Sequence, residues 1–265
     1  MMEDAFLRNS VIVTGASLGI GRQIALQLAS QGAHLALAAR GEQELSRVAS
    51  LCRERGGEAV AITTDVSDEA QCKALIERTV VEYGQIDSLI NNAGLGMWAR
   101  FDELSSLSLL ETVMRVNFWG SVYCTHYALP HLRATKGRLV VVVSGGGKFP
   151  APGLCGYGAS KHALVGLFDS LRIELEGSGV SVTAAYPAWV ATGMSGRSLR
   201  ADGKPTGEVT AHEKGAMSPE VCARLIIRAA TERRREMISA KLRFGLVMAP
   251  IVPHLVDGIA ARMYG

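Results

Sequence analysis

The chain lacks most of what would staple, metallate or anchor a protein. Its 265 residues contain five cysteines, at Cys52, Cys72, Cys124, Cys155 and Cys222, with no CxxC pair, so neither a disulfide framework nor a zinc cluster is expected. The histidines, His126, His131 and His162 among them, have no partners at ligand spacing, and no metal is expected. Cysteine usage of this kind belongs by default to a reducing, cytoplasmic compartment. No apolar run reaches the roughly eighteen residues needed to span a bilayer, and Met1 to Asn9 is short and carries acids, unlike a secretory leader. An excess of one charge is missing too. Lys and Arg number 28 against 25 Asp and Glu, a formal net charge of +3, and without a basic face or a known module this excludes a nucleic-acid partner. The run Arg233-Arg234-Arg235 is flanked by Glu232 and Glu236 and reads as a solvated helix end or turn. There is no repeat, low-complexity tract or linker, so residues 1–265 read as a single domain with ample length for a core.

Short apolar runs alternate with helical patterns along the whole chain. Val11-Ile12-Val13, Leu35 to Ala39, Ala59 to Thr63, Leu139 to Val143 and Val180 to Tyr186 read as buried strands, and continuous rather than alternating apolarity marks strands covered on both faces. The fold expected is α/β, a single-domain Rossmann fold: a doubly wound parallel sheet with helices on both faces. The first strand runs into Thr14-Gly15-Ala16-Ser17-Leu18-Gly19-Ile20-Gly21 and then a helix. Gly15, Gly19 and Gly21 permit positive φ and close backbone approach, and the helix start, with Ser17, Leu18 and Ile20 in the turn, offers unpaired N–H groups to a diphosphate. The second strand ends without the acid that would hold the ribose 2′-hydroxyl of NAD. Arg40 stands there, and a guanidinium suits a 2′-phosphate by charge and by its fork, so NADP(H) is the cofactor favoured.

Tyr157 and Lys161 are four residues apart, which puts a phenol and an ammonium on one helix face. Ionising a tyrosine at neutral pH needs roughly three pKa units, or about 4 kcal/mol, and a neighbouring cation is expected to supply much of it. Ser144 lies thirteen residues before Tyr157, directly after an apolar strand, where open α/β sheets bind ligands.

Together these residues resemble the short-chain dehydrogenase/reductase family, from about Ser10 to the strand near Ile238. Further motifs carry the resemblance. Asp65-Val66 looks like the family's adenine-contacting pair, and Asn91-Asn92-Ala93-Gly94 like the turn that closes the fourth strand over the cofactor. Asn117 falls where the family keeps an asparagine that positions a water in the proton relay. Pro187-Ala188-Trp189-Val190-Ala191-Thr192 resembles the PGxVxT motif, whose Pro187, Val190 and Thr192 would embrace the nicotinamide amide. Two features depart from the pattern: Ala188 replaces a glycine, and Ser144 is followed by Gly145-Gly146-Gly147, a loop expected to have little rigidity and to bend to its substrate. Softer signals, Ala159-Ser160-Lys161-His162-Ala163, Ala201-Asp202-Gly203 and Met217-Ser218-Pro219-Glu220, look closest to the lipid and steroid carbonyl-reductase branch that includes 11β-hydroxysteroid dehydrogenase and the acyl-dihydroxyacetone-phosphate reductase-like proteins.

The resemblance implies an NADPH-dependent oxidoreductase acting on a small hydrophobic ketone or secondary alcohol. Tyr157 would be the proton donor, Ser144 would hold the substrate oxygen, Lys161 would tune the phenol and hold the ribose, and Asn117 would anchor a water. Two alternatives stay open: a 3-oxoacyl-thioester reductase, and an NADP-bound sensor or scaffold without turnover. Family members commonly pair through the helices holding Asn117 and Tyr157, which implies a homodimer or homotetramer. The polar stretch 195–215 is long enough to be a substrate lid. In the apolar tail 241–265, the stretch Phe244 to Val256 is broken by Pro250 and Pro253 and is expected to be kinked or irregular rather than one continuous helix. It reads as a cap over the cleft or a subunit contact, the alternative being peripheral insertion into a membrane surface with Lys241, Arg243 and Arg262 near headgroups.

Overall fold

Strands that are apolar on both sides need cover on both sides, and the arrangement of the elements supplies it. The computed structural model describes residues 5–213, 215–240, 242–243 and 253–264. Seven strands, β1 (Ser10–Thr14), β2 (His34–Ala39), β3 (Glu58–Thr63), β4 (Ser88–Asn91), β5 (Arg138–Val142), β6 (Ser181–Tyr186) and β7 (Glu236–Ile238), form one parallel sheet in the order β3-β2-β1-β4-β5-β6-β7. Helices α1 (Gly19–Ala29), α2 (Glu42–Glu54) and α8 (Pro219–Thr231) cover one face. Helices α3 (Glu69–Tyr83), α5 (Gly120–Thr135) and α6 (Cys155–Glu174) cover the other.

Alternate residues of each strand feed the two cores, as the strand period of two requires. Val11 and Val13 of β1 pack with Ile24, Leu28, Leu45 and Ile226. Ile12 between them faces the opposite core with Leu75, Leu89, Leu132 and Phe168. This is the doubly wound Rossmann arrangement that the alternating apolar runs predict, and the strands fall where those runs are.

The strand order reverses between β1 and β4, and a crevice opens there at the carboxyl ends of the strands. A compact polar joint locks the two strands together at that point. The Asn92 amide donates to the carbonyls of Thr14 (2.9 Å) and Gly15 (3.3 Å), while the Thr14 hydroxyl accepts from the N–H groups of Asn92 and Ala93, both at 3.0 Å. Gly21, in the first turn of α1, closes over the joint, and a Cβ there would collide with the Gly15 carbonyl and the Asn92 amide.

Two shorter helices, α4 (Ser108–Met114) and α7 (Met194–Arg197), flank the crevice, and one wide π turn at Arg115–Trp119 joins α4 to α5. The basic run is more than a solvated turn. The guanidinium of Arg233 donates to the carbonyls of Lys136 (2.7 Å) and Gly179 (2.8 Å), stitching two loops at the amino ends of the strands. Within the tail, Pro253 opens a helix, α9 (Pro253–Tyr264), because a proline at the first helical position gives up an N–H that had no partner. Residues 244–252, including Pro250, lie outside the described residues, as does Lys241. No helix among the described residues is long and apolar enough to cross a membrane.

The Gly21 packing generates a prediction. Gly21→Ala forces backbone apart at the joint, and overpacking of this kind costs about 1–3 kcal/mol. Urea unfolding should show a lowered midpoint at unchanged slope; an unchanged midpoint would mean that the joint yields without penalty.

Candidate active site

The glycine turn after β1 is shaped to receive an anion. Gly15 and Gly19 adopt φ of +66° and +55°, which a side chain would resist. Helix α1 begins at Leu18 with no side-chain cap, whereas α3 and α8 are capped by Asp68 and Ser218. The first N–H groups of α1 are left for a ligand, and they fit a diphosphate. Ser17 and Ile20 are half-buried in this turn, and Leu18 is exposed. Arg40 is exposed just past β2 with no ion-pair partner among the described residues. Asp65 follows β3 and accepts from the N–H (2.9 Å) and hydroxyl (2.7 Å) of Ser67. Val66 packs against the backbone of Gly120.

On the far side of the crevice, Ala93 and Gly94 continue from the joint, and a Cβ on Gly94 would sit 3.6 Å from the Lys161 ammonium. Pro187 and Val190 are buried after β6, and Val190 bridges to Met217. Ala188 makes no demand for glycine here: its φ is negative and its N–H donates to the Ser239 hydroxyl at 3.0 Å. Thr192 reaches across to the glycine turn, where a Cβ on Gly19 would lie 3.0 Å from its side chain.

Ser144 sits at φ +114°, ψ 160°, a region that is essentially reserved for glycine and costs about 1–3 kcal/mol for other residues. Its hydroxyl accepts from the Gly146 N–H at 3.2 Å, which leaves its proton free to be donated. The loop that follows is glycine-rich but tightly packed. It forms a tight 3-10 turn in which Gly147 and Lys148 donate to the carbonyls of Ser144 and Gly145 at 3.1 and 2.9 Å. Each glycine is there because something is packed against it: Leu242 at Gly145, the Tyr157 ring at Gly146, and Val143 at Gly147. Lys148 then ties the turn to the edge strand, its ammonium 3.2 Å from the Glu236 carboxylate and 4.5 Å from the centre of the buried Tyr186 ring.

Tyr157 and Lys161 lie in the first two turns of α6, with the ammonium 5.7 Å from the ring centroid. Lys161 is 3% exposed and donates to the Val142 carbonyl at 3.2 Å; burial pulls it down to about 8. The phenol does not follow the sequence expectation. Loss of water around its hydroxyl pushes Tyr157 above its ordinary value, and the opposing pull comes from a hydrogen bond with Ser144 rather than from Lys161. A lysine that is itself desolvated and turned toward a carbonyl stabilises a phenolate less than a solvated cation in contact would.

Asn117, fully buried within the π turn, has its amide filled by protein: its oxygen accepts from Leu95 N–H (2.7 Å), and its nitrogen donates to the Leu95 carbonyl (3.0 Å) and the Ser160 hydroxyl (2.9 Å). Its side chain is thus a brace for the floor of the site.

Residues without a sequence signal complete the site. The indoles of Trp98 and Trp189 meet at 6.2 Å between centroids, joining the loops after β4 and β6. Met97, Leu95, Leu199 and the Tyr157 ring form an apolar cluster beside them. Glu213, buried on the 195–215 segment, bonds to the Thr192–Ser195 turn. Cys155 is exposed and lines a groove of about 520 Å³ between the 149–155 loop and α9.

Burying a charged lysine has a measurable consequence. Between about pH 8 and 10.5 the unfolded chain binds a proton that folded Lys161 has lost, so stability should rise with pH across that window. The stability of Lys161→Met relative to wild type should fall by roughly 3 kcal/mol as pH rises from 7 to 10.5; chemical denaturation at several pH values measures it, and a difference independent of pH would contradict the assignment.

A description of the short chain dehydrogenases matches residues 9–202. The 11-beta-hydroxysteroid dehydrogenase of Pinus massoniana is 40% identical over 232 residues, covering 85% of this chain and 65% of that protein. The 11-beta-hydroxysteroid dehydrogenase A of Arachis hypogaea is 36% identical over 264 residues, covering 96% of this chain and 75% of that protein. The chain therefore spans about two thirds to three quarters of the length of these relatives. Among solved structures, a short chain dehydrogenase/reductase from Burkholderia phymatum in complex with NAD is 27% identical, with a TM-score of 0.84 and 96% coverage of both chains. An alcohol dehydrogenase from the archaeon Thermococcus sibiricus complexed with 5-hydroxy-NADP is 28% identical, with a TM-score of 0.73, covering 86% of this chain and 93% of that one. The sequence match over residues 9–202 and the sheet order agree, and the chain belongs to the short-chain dehydrogenase/reductase family of oxidoreductases.

Proposed function

We propose that this oxidoreductase reduces the carbonyl of a hydrophobic, lipid-like or steroid-like ketone with NADPH, and runs the reverse oxidation of the secondary alcohol with NADP. The observation that carries the reading is the convergence of Ser144, Tyr157 and Lys161 at the carboxyl end of β5, beside the crevice at the β1/β4 switch point. A pure binder has no use for a phenol, a poised hydroxyl and a buried ammonium in one cluster.

Arg40 supports the NADPH choice. It is an exposed guanidinium just past β2, where a 2′-phosphate gives it a bidentate partner and a bare ribose does not. The names of the plant relatives and the apolar wall formed by Met97, Leu95, Leu199, Trp98 and Trp189 support a bulky apolar substrate. Exposed Trp119, at the end of the π turn before α5, and exposed Ile173 on α6 support a homodimer or homotetramer, and exposed Leu255 and Ile259 support a peripheral membrane contact through α9.

When bound, the cofactor would supply the hydride for reduction and take it up in the reverse oxidation. Ser144, held by the Gly146 N–H, keeps its own proton, donates a hydrogen bond to the substrate oxygen and fixes the carbonyl carbon in place. Tyr157 gives its proton to the alkoxide as it forms. A tyrosine phenol, with an ordinary pKa of about 10, holds its proton at neutral pH and so arrives as an acid, as reduction requires. Lys161 offsets the phenolate charge left behind. Asn117 braces Leu95 and Ser160, and the Ser160 hydroxyl donates to the Tyr157 carbonyl at 2.7 Å, which holds the helix start in register.

Two outcomes are expected. Tyr157→Phe should lower kcat by about 10²–10⁴-fold while NADPH still binds, measured at 340 nm across bulky ketones, acyl-glycerone analogues and 3-oxoacyl thioesters; turnover surviving in that variant would sink the mechanism. Arg40→Ala should raise the KM for NADPH by about 10-fold or more and leave NADH unaffected, and a wild-type preference for NADH would overturn the cofactor choice.

A further inference from the structure

One buried carboxylate has no part in the chemistry above. Glu213 is 3% exposed and ends a short 3-10 turn, Ala211–Glu213. A carboxylate can only accept hydrogen bonds, and both oxygens of this one are occupied. One accepts from the Thr192 N–H at 2.6 Å, from the Gly193 N–H, and from the Thr192 hydroxyl at 3.4 Å. The other accepts from the Ser195 N–H at 3.3 Å and from the Ser195 hydroxyl. Burial pushes the carboxyl up, but these donors, the Ser195 hydroxyl foremost, bring it below its ordinary value. The group is therefore an anion in a nest of N–H and O–H groups.

All the donors come from the turn 192–195, whose Thr192 side chain lies against Gly19 of the glycine turn. The Thr192 hydroxyl oxygen also accepts from the Met194 N–H at 3.2 Å. With its proton directed to Glu213 and one lone pair directed to Met194, the hydroxyl has a single capacity left, a second lone pair. A hydroxyl in that state is an acceptor only.

We propose that Glu213 is a positioning residue for the nicotinamide: the carboxylate carried on the 195–215 lid fixes Thr192 as an acceptor for the carboxamide N–H of the cofactor, so that seating the lid and holding the ring are one event. This rests on the nicotinamide-dinucleotide reading given above. The same lid is closed on the turn at further points, with the Ser195 hydroxyl accepting from Thr210 N–H at 3.1 Å and Gly207 N–H donating to the Gly196 carbonyl at 2.9 Å, so lid and turn move together.

The test compares wild type with Glu213→Gln using three probes: NADPH; 2′,5′-ADP, which has the 2′-phosphate but no nicotinamide; and the 3-acetylpyridine analogue of NADP, in which a methyl replaces the carboxamide nitrogen. Glu213→Gln should weaken NADPH by about tenfold and lower kcat, bind 2′,5′-ADP as wild type does, and show no further loss with the acetylpyridine analogue, because the contact is already gone. Equal weakening toward 2′,5′-ADP would make the residue merely structural, and cofactor parameters equal to wild type, or an undiminished penalty for the analogue, would also overturn the proposal. If Glu213→Gln does not fold, Thr192→Val with the same probes tests the same contact from the other side. A wild-type enzyme that binds NADH in place of NADPH defeats the Arg40 reading alone, and the Glu213 comparison then runs with NADH and AMP. A wild-type enzyme that binds neither defeats both.

Discussion

Everything in the crevice hangs on the joint between Thr14 and Asn92. Two parallel strands whose connections leave in opposite directions have no loop to hold their ends together, and here one threonine hydroxyl and one asparagine amide do it. From that joint the glycine turn extends to one side and the Ala93–Leu95 turn to the other. A chain of hydrogen bonds then runs from Leu95 to Asn117, from Asn117 to Ser160, and from Ser160 to the backbone of Tyr157. The backbone of Tyr157 is thus tied to the switch point by buried polar bonds, and loop packing around its ring completes the placement. Such networks fix geometry strongly because a broken member leaves buried groups unpaired.

The site is also where stability is given up. Lys161 is buried with its proton affinity depressed, and Ser144 occupies backbone space that suits glycine. Neither arrangement helps the fold. Their surroundings hold them anyway: the Lys148–Glu236 pair pins the glycine turn, and α6 packs Leu164 and Phe168 into the core beneath. Strain of this sort persists only where neighbouring structure over-determines it.

The fold was legible in the sequence because fully buried parallel strands leave unbroken apolar runs, and because Gly15, Gly19 and Gly21 mark a turn that few other sequences can make. Tyr157 and Lys161 were legible for a similar reason, since helical spacing is a local property. What escaped was set by contacts between distant segments or by depth. Glu213 sits about twenty residues from the groups it binds, in a polar stretch with no period to read. The direction of the Tyr157 shift depends on how much water reaches the hydroxyl, which spacing cannot convey. The packing of Leu242 and Tyr157 against the Gly145–Gly147 run comes from other segments and leaves no mark in the run itself. The π turn around Asn117 carries no composition cue at all.

Ser144 makes the conflict between folding and chemistry visible at one residue. Its backbone, in the run Ser144-Gly145-Gly146-Gly147, is in glycine territory, so selecting variants of this protein for heat resistance alone would reward a fourth glycine there. Such a variant would gain in melting temperature and lose the hydroxyl on which the proposed chemistry depends. Screens that score thermal tolerance without a turnover assay would carry that substitution forward as an improvement.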